Sequence, residues 1–246
     1  MANHTDTLLI DSVVKPRNIE KSLNLNSKLA NYKLVIFDWD GTLMDSIDRI
    51  VSSMQAAAKH CLLTIPSIEQ VKGIIGLSFP QAFELLFPEA SSPKITEVFN
   101  RYRHEYLECD STPAPLFDNA LSLLTKLNEN NRLVAVATGK SRPGLERVFK
   151  ATQTAHFFHA SRTADEANSK PDPDMLISLL AELNINPKHA VMIGDTSYDM
   201  AMAQAAGVDS IGITLGVHDE TILNNYQPVA IVNSMFELEQ LLLPQF

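Results

Sequence analysis

One stretch, Leu34-Val35-Ile36-Phe37-Asp38-Trp39-Asp40-Gly41-Thr42, constrains this chain more than any other. Four apolar residues with β-branching at Val35 and Ile36, closed off by Gly41, predict a short strand buried on both faces, as in a parallel sheet. The C-terminal end of such a strand is where α/β proteins place ligands. Side chains two apart in extended chain share a face, so Asp38 and Asp40 can converge on one small object, and Gly41 permits the tight turn that follows. Two close carboxylates repel unless a cation or a shared proton separates them. A hard divalent ion such as Mg²⁺, which takes oxygen ligands and works with substrate phosphates, suits that arrangement.

A chain of 246 residues can hold one large domain or a domain with an insert. Its formal charge of −9 argues against a general nucleic-acid or anionic-membrane surface, so an anionic substrate would have to be captured by local cations. No apolar run approaches the roughly 20 residues of a membrane span. Leu8-Leu9-Ile10 is cut short by Asp11 with no basic segment before it, so no secretory leader is expected. Cys61 and Cys109 fall in segments that read as helical, which fits two reduced thiols in a cytoplasmic protein. Nothing in the sequence addresses oligomeric state.

Residues 1–30, rich in Asn, Ser and Lys without a long apolar period, read as an N-terminal arm, partly ordered at best. After the first strand, Ile47, Ile50, Val51, Met54, Ala58, Cys61 and Leu62 recur at helical spacing. Helical patterns continue through Phe79–Phe87 and Ile95–Leu107, so residues 46–113 are expected to form a small helical domain above the strand's end. The remainder, 31–45 with 114–246, alternates strand and helix. Helix Asn119–Leu127 leads to strand Leu133–Ala137, and a helix capped by Ser141 starts near Arg142. Phe157–Ala160 is a weaker strand, followed by helix Met175–Leu183 and strand Ala190–Ile193. Helix Tyr198–Ala206 is stopped by Gly207, and strands Ser210–Thr214 and Val229–Val232 complete the series. This order predicts an α/β fold, a doubly wound, Rossmann-like parallel sheet with an inserted α-helical cap.

Three of these strands end in polar residues, Asp38/Asp40, Thr138 and Asp195, and Lys170 lies in the loop before the fourth helix of the series. Taken singly, each has an ordinary explanation: a helix cap for Thr138, a solvated cation for Lys170, an acidic first turn for Asp195 and Asp199. Their joint order resembles the haloacid dehalogenase superfamily, specifically its phosphoglycolate-phosphatase-like members with a helical cap after the first strand. Asp38-Trp39-Asp40-Gly41-Thr42 is similar to the family's first motif, Val136-Ala137-Thr138-Gly139 to its second, Lys170-Pro171 to its third, and Gly194-Asp195-Thr196-Ser197-Tyr198-Asp199-Met200 to its fourth.

The resemblance implies that Asp38 is the nucleophile and Asp40 a general acid and base, held protonated by burial and the neighbouring charge. It implies Mg²⁺ on Asp38, the backbone carbonyl of Asp40 and Asp195, with Asp199 orienting ligands, and phosphoryl oxygens on Thr138, the Gly139 amide and Lys170. Asp40 favours ester hydrolysis over dehalogenation, because a halide leaving group needs no proton. The implied substrate is a small phosphorylated metabolite, phosphoglycolate being the nearest guess. A sugar-phosphate mutase and a non-catalytic phosphate-binding protein are the alternatives. Substrate choice is expected to lie in the cap, with Arg49, Lys72 and the Gly73–Ser78 loop as candidates to face the site, while Lys140 and Arg142, beside Thr138, are candidates to touch the leaving group from below. Trp39 contributes only its amide, Tyr198 packs, and His60, His104, His156, His159 and His218 receive no catalytic role.

Overall fold

The computed structural model describes residues 25 and 27–243. The chain builds one parallel six-stranded sheet from β1 (Leu34–Phe37), β2 (Leu133–Thr138), β3 (Ala160–Thr163), β4 (Ala190–Gly194), β5 (Asp209–Ile213) and β6 (Ala230–Val232), in the order β3-β2-β1-β4-β5-β6. Every residue of β1 is buried. Its alternation sends Val35 and Phe37 into one apolar cluster and Leu34 and Ile36 into another on the opposite face. Both faces need helical cover, which is why β1 is a continuous apolar run rather than an alternating one.

Between β1 and β2 lie α1 (Ile47–His60), α2 (Ile68–Lys72), α3 (Phe79–Leu86) and α4 (Ser92–His104), the last running into a wide helical turn at Glu105–Cys109. Their inward residues, Met54, Ala57, Val71, Phe83 and Val98 among them, form a third cluster separate from the two beside the sheet. On one face of the sheet pack α5 (Ala120–Glu129), α6 (Arg142–Thr152) and α10 (Met235–Leu242); on the other pack α7 (Asp174–Glu182) and α8 (Ser197–Ala205). A short α9 (Glu220–Asn224) precedes β6. Chain order reverses between β1 and β4, so the C-terminal ends of β1, β2 and β4 surround a switch point, the position where open α/β sheets bind ligands.

Two local expectations, a strand and a helix cap, are corrected. The strand expected at Phe157–Ala160 begins at Ala160. Residues Ala155–Phe157 form a tight helical turn instead, and Phe158 leaves the backbone ladder to pack against Trp39 at 6.0 Å between ring centroids. Edge strand β3 buries only Thr163, so its own sequence carries little apolar signal. Ser141 occupies the cap position of α6 but accepts no backbone proton there; the Asp165 carboxylate takes the Arg142 amide at 2.9 Å. In the expected arm, 27–30 are helical, Leu29 is buried in the core and Lys28 pairs with Asp209 at 2.8 Å, while residues 1–24 lie outside the described ones. Cys61 is buried and Cys109 exposed, both unpaired by disulfide, and among the described residues no helix is long and apolar enough to cross a membrane.

Candidate active site

The site begins where β1 runs out. The Asp38 amide donates to Ile193 O at 2.9 Å, so the sheet ladder fixes the backbone of this aspartate. Parallel register pairs Phe37 with Val136 on one side and with Ile193 on the other, which brings the ends of β2 and β4 to the same edge. Thr138 and Asp195 are both buried there.

Lys170 reaches this edge from the loop before α7 and is fully buried. Its ammonium donates to Asp199 Oδ1 at 2.6 Å and forms an ion pair with Asp38 Oδ1 at 2.8 Å. Burial opposes its charge, yet the Asp199 and Asp38 carboxylates prevail and hold the lysine above its ordinary range, so it stays protonated. Asp199 is fixed at a second point by the Thr196 cap of α8: Thr196 donates to Asp199 Oδ2 through its amide at 3.1 Å and its hydroxyl at 2.7 Å.

Asp195 accepts from the Thr42 hydroxyl and the Val217 amide, each at 2.8 Å. Burial first, and then the charges of Asp199 and Asp38, push its carboxyl well above the ordinary carboxylate range. The Asp38 carboxyl is pushed up to about 7, chiefly by burial, with the Asp199 and Asp40 charges adding to the rise and Lys170 opposing it. Gly41 turns with φ +76°, and a Cβ there would run into the Asp195 carboxylate. Its glycine therefore serves both the turn and the closeness of the two strands' ends.

Asp38, Asp195 and Asp199 each offer a carboxylate oxygen within 4.8 Å of the others, all buried. Neither Asp38 oxygen accepts an aligned hydrogen bond, because the best-directed bond of Lys170 goes to Asp199. Three buried carboxylates against one ammonium leave excess negative charge in low dielectric, which this structure itself opposes by raising the carboxyl pKa values. An all-oxygen donor set of that charge fits a small hard divalent cation.

Asp40 stands apart from that trio. Its Oδ1 accepts from the Ser46 hydroxyl at 2.6 Å and is paired with the Lys140 ammonium at 2.9 Å. Its side chain faces a cavity whose wall includes Gly139, Lys140 and residues of α1, α3 and α4. The Gly76 and Leu77 carbonyls of the loop before α3 crowd Gly139 so closely that a Cβ there would lie 2.7 and 2.6 Å from them. Tyr198 donates its hydroxyl to Gly73 O at 2.8 Å, and the Ser78 amide donates to Ser169 Oγ at 2.8 Å. The Gly73–Ser78 loop is thus seated on the sheet's edge, and Tyr198 holds it there rather than merely packing.

The other candidates separate. Arg142 turns away to Glu166 and Ser161, and Arg49 donates to Asp110 O at 2.8 Å with its guanidinium 5.0 Å from the Tyr106 ring centre. The Lys72 side chain makes no hydrogen bond or ion pair among the described residues, and its carbonyl accepts from the Ile75 amide at 3.1 Å. His218 accepts the Ser197 amide at 2.9 Å and gives its own amide to Asp195 O at 3.1 Å, bracing the loop after β4. Thr42 and Ser46 escaped the sequence reading as partners, although both hydroxyls stand within six residues of an aspartate. The Val217 amide had no side-chain signal at all.

Comparison with known proteins agrees with this geometry. Residues 35–213 match the family model described as haloacid dehalogenase-like hydrolase. Among curated relatives, Probable phosphatase IndB of Dickeya dadantii is 29% identical over 209 residues, which cover 83% of this chain and 91% of that protein. Pyrophosphatase PpaX of Bacillus pumilus is 28% identical, with 83% and 93% covered. The crystal structure of a predicted phosphatase from Clostridium acetobutylicum superposes with a TM-score of 0.76 at 26% identity, covering 87% of this chain and 99% of that one. A doubly wound sheet with these relatives and this polar edge defines a hydrolase of the phosphatase class. The chain belongs to the haloacid dehalogenase-like hydrolase family.

Proposed function

We propose that the protein is a Mg²⁺-dependent phosphatase acting on a small phosphorylated metabolite through an aspartyl-phosphate at Asp38. The observation that carries this reading is the buried convergence of Asp38, Asp195, Asp199 and Lys170, which puts three carboxylates and one ammonium together at the strand ends, the groups that a nucleophile, a cation site and a phosphate-binding cation require.

In this reading Asp38, Asp195 and the backbone carbonyl of Asp40 hold the ion, with Asp199 orienting both Lys170 and the ion's surroundings. Bound there, Mg²⁺ supplies charge neutralisation between an anionic carboxylate and an anionic phosphate. Asp38, its backbone anchored by β4, forms a new O–P bond in line with the departing ester oxygen, whose P–O bond breaks. Asp40 delivers a proton to that oxygen. In the second half Asp40 takes a proton from water, which attacks phosphorus, releases inorganic phosphate and restores Asp38. Ser46 and Lys140 keep Asp40 directed at the cavity where the alcohol lies. Lys170, the Thr138 hydroxyl and the Gly139 amide take the phosphoryl oxygens, donors placed before the charge develops rather than recruited by it. The helical block 46–113 acts as a cap whose Gly73–Ser78 loop shields the reaction from water.

Phosphate release measured against a panel of phosphomonoesters, with Mg²⁺ and with a chelator, tests the reading. Turnover that requires the ion and vanishes in Asp38→Asn is expected. Ion-independent turnover, or an Asp38→Asn variant as active as the parent, would remove it, and mass analysis of product separates hydrolysis from mutase chemistry.

A further inference from the structure

Asp195 is the member of the carboxylate trio whose two oxygens are both tied by neutral donors, Oδ1 by the Thr42 hydroxyl and Oδ2 by the Val217 amide. Strand β4 closes at Gly194, one residue before it, and the loop after β5 takes over beyond that point. Three contacts run from this loop. Val217 gives its amide to the Asp195 carboxylate at 2.8 Å, His218 gives its amide to Asp195 O at 3.1 Å, and His218 Nδ1 accepts the Ser197 amide at 2.9 Å. Gly216 lies so near that a Cβ there would overlap the Asp195 carboxylate and come within 2.6 Å of Gly41 O. The His218 ring thereby closes a circuit, joining the turn just past Asp195 to the loop whose amide orients that aspartate.

Resting on the reading in which Asp195 holds Mg²⁺, we propose that His218 is a positioning residue for the metal site. By accepting the Ser197 amide, its ring keeps the Val217 amide against Asp195 Oδ2 and fixes the plane of that carboxylate. Magnesium tolerates little departure from its preferred ligand arrangement, and groups that orient a ligand without touching the metal commonly carry about tenfold or more of its affinity. The start of α8 does not need the histidine for its own sake. Thr196 already caps it by accepting the Asp199 amide, and Ser197 is only half-buried, so water can satisfy the Ser197 amide as well. What the ring adds is the connection between two loops that meet at the metal ligand.

Ser197→Pro breaks the same bond from its other end. Proline is well tolerated at the first helical position, and Thr196 before it already has the extended ψ of 157° that a following proline demands. Calorimetric Mg²⁺ binding is compared for the full-length parent, His218→Leu, Ser197→Pro and the double variant, under conditions where circular dichroism shows each to be folded. Each single change is expected to raise the Mg²⁺ Kd by about tenfold, and the double variant to go no further than either, because both remove one link. Phosphomonoester turnover should accordingly fall far more at limiting Mg²⁺ than at saturating Mg²⁺. An unchanged Kd in either single variant, or losses that add in the double variant, overturns the inference and leaves the phosphatase reading standing. Should His218→Leu not fold, Ser197→Pro decides alone. A parent that binds no Mg²⁺ removes the metal site on which both readings rest.

Discussion

Lys140 Nζ stands 2.9 Å from Asp40 Oδ1, and that pair joins the loop after β2 to the loop after β1 directly beneath the helical block. Burial disfavours the lysine's charge, but the Asp40 carboxylate and Tyr106 more than compensate, so the ammonium is retained. Lys140→Met would leave Asp40 with Ser46 as its remaining side-chain donor and free it to swing. Expected is a fall in kcat of about tenfold, the equivalent of ~1.4 kcal/mol, with Lys140→Arg retaining part of the rate. Steady-state kinetics on both variants decides it; an unchanged kcat in Lys140→Met would show that the pair is structural only.

The second prediction concerns pH. With its carboxyl raised from 3.8 to about 7 in the folded protein, Asp38 contributes stability that is fully present below the unfolded value and lost as pH rises through 7. Asp38→Asn removes that titration. In chelator, the variant should gain on the parent between pH 4 and 7 and hold a constant lead above 7, on the order of a few kcal/mol. Urea unfolding at pH 5 and pH 8 measures the difference. Saturating Mg²⁺ should shrink it, since an ion bound only by the folded state adds stability to the parent.

Gly139→Ala should act on closure rather than on folding. The backbone at Gly139 is not left-handed, so alanine is tolerated locally, but its Cβ would meet the Leu77 and Gly76 carbonyls at 2.6 and 2.7 Å. The loop must lift, and the expected outcome is a roughly tenfold loss in kcat/KM with KM carrying most of it. Hydrogen exchange of the 73–78 amides should quicken in parallel. Unchanged exchange with unchanged KM would place the loop's seat elsewhere.

Trp39, between the two motif aspartates, is fully buried and packs edge-on to Phe149 at 5.3 Å while its indole donates to Met44 Sδ at 3.1 Å. Trp39→Ala is expected to cost ~3–5 kcal/mol of stability, from lost burial and the cavity left behind. A denaturant midpoint close to the parent's would contradict that placement. The sequence reading gave this side chain no task beyond being apolar; its task is to anchor the site loop to the core.

Much of the molecule was legible before any coordinate. Apolar runs at Leu34–Phe37, Leu133–Ala137 and Ala190–Ile193 become central strands because a strand buried on both faces has to be apolar along its length, and that leaves a mark in the sequence. Edge strand β3, Ala-Ser-Arg-Thr, carries no such mark, and the aromatic residues before it misdirected the assignment by three positions. Asp38, Lys170, Asp195 and Asp199 could be grouped because their joint order resembles the motifs of the haloacid dehalogenase superfamily, whereas each residue alone has an ordinary explanation.

What the sequence by itself determined is therefore the sheet, the helical block after its first strand, and the identity of the polar residues at the strand ends, since periodicity and motif order are local properties. Tertiary structure alone decided which groups answer one another: Lys140 turns to Asp40 while Arg142 turns to Glu166, the Val217 amide and Thr42 grip Asp195, and Tyr198 fastens Gly73. Each of those choices pits a long side chain or a remote amide against several possible partners. Distance and burial in the folded chain, not spacing along it, determine which partner wins.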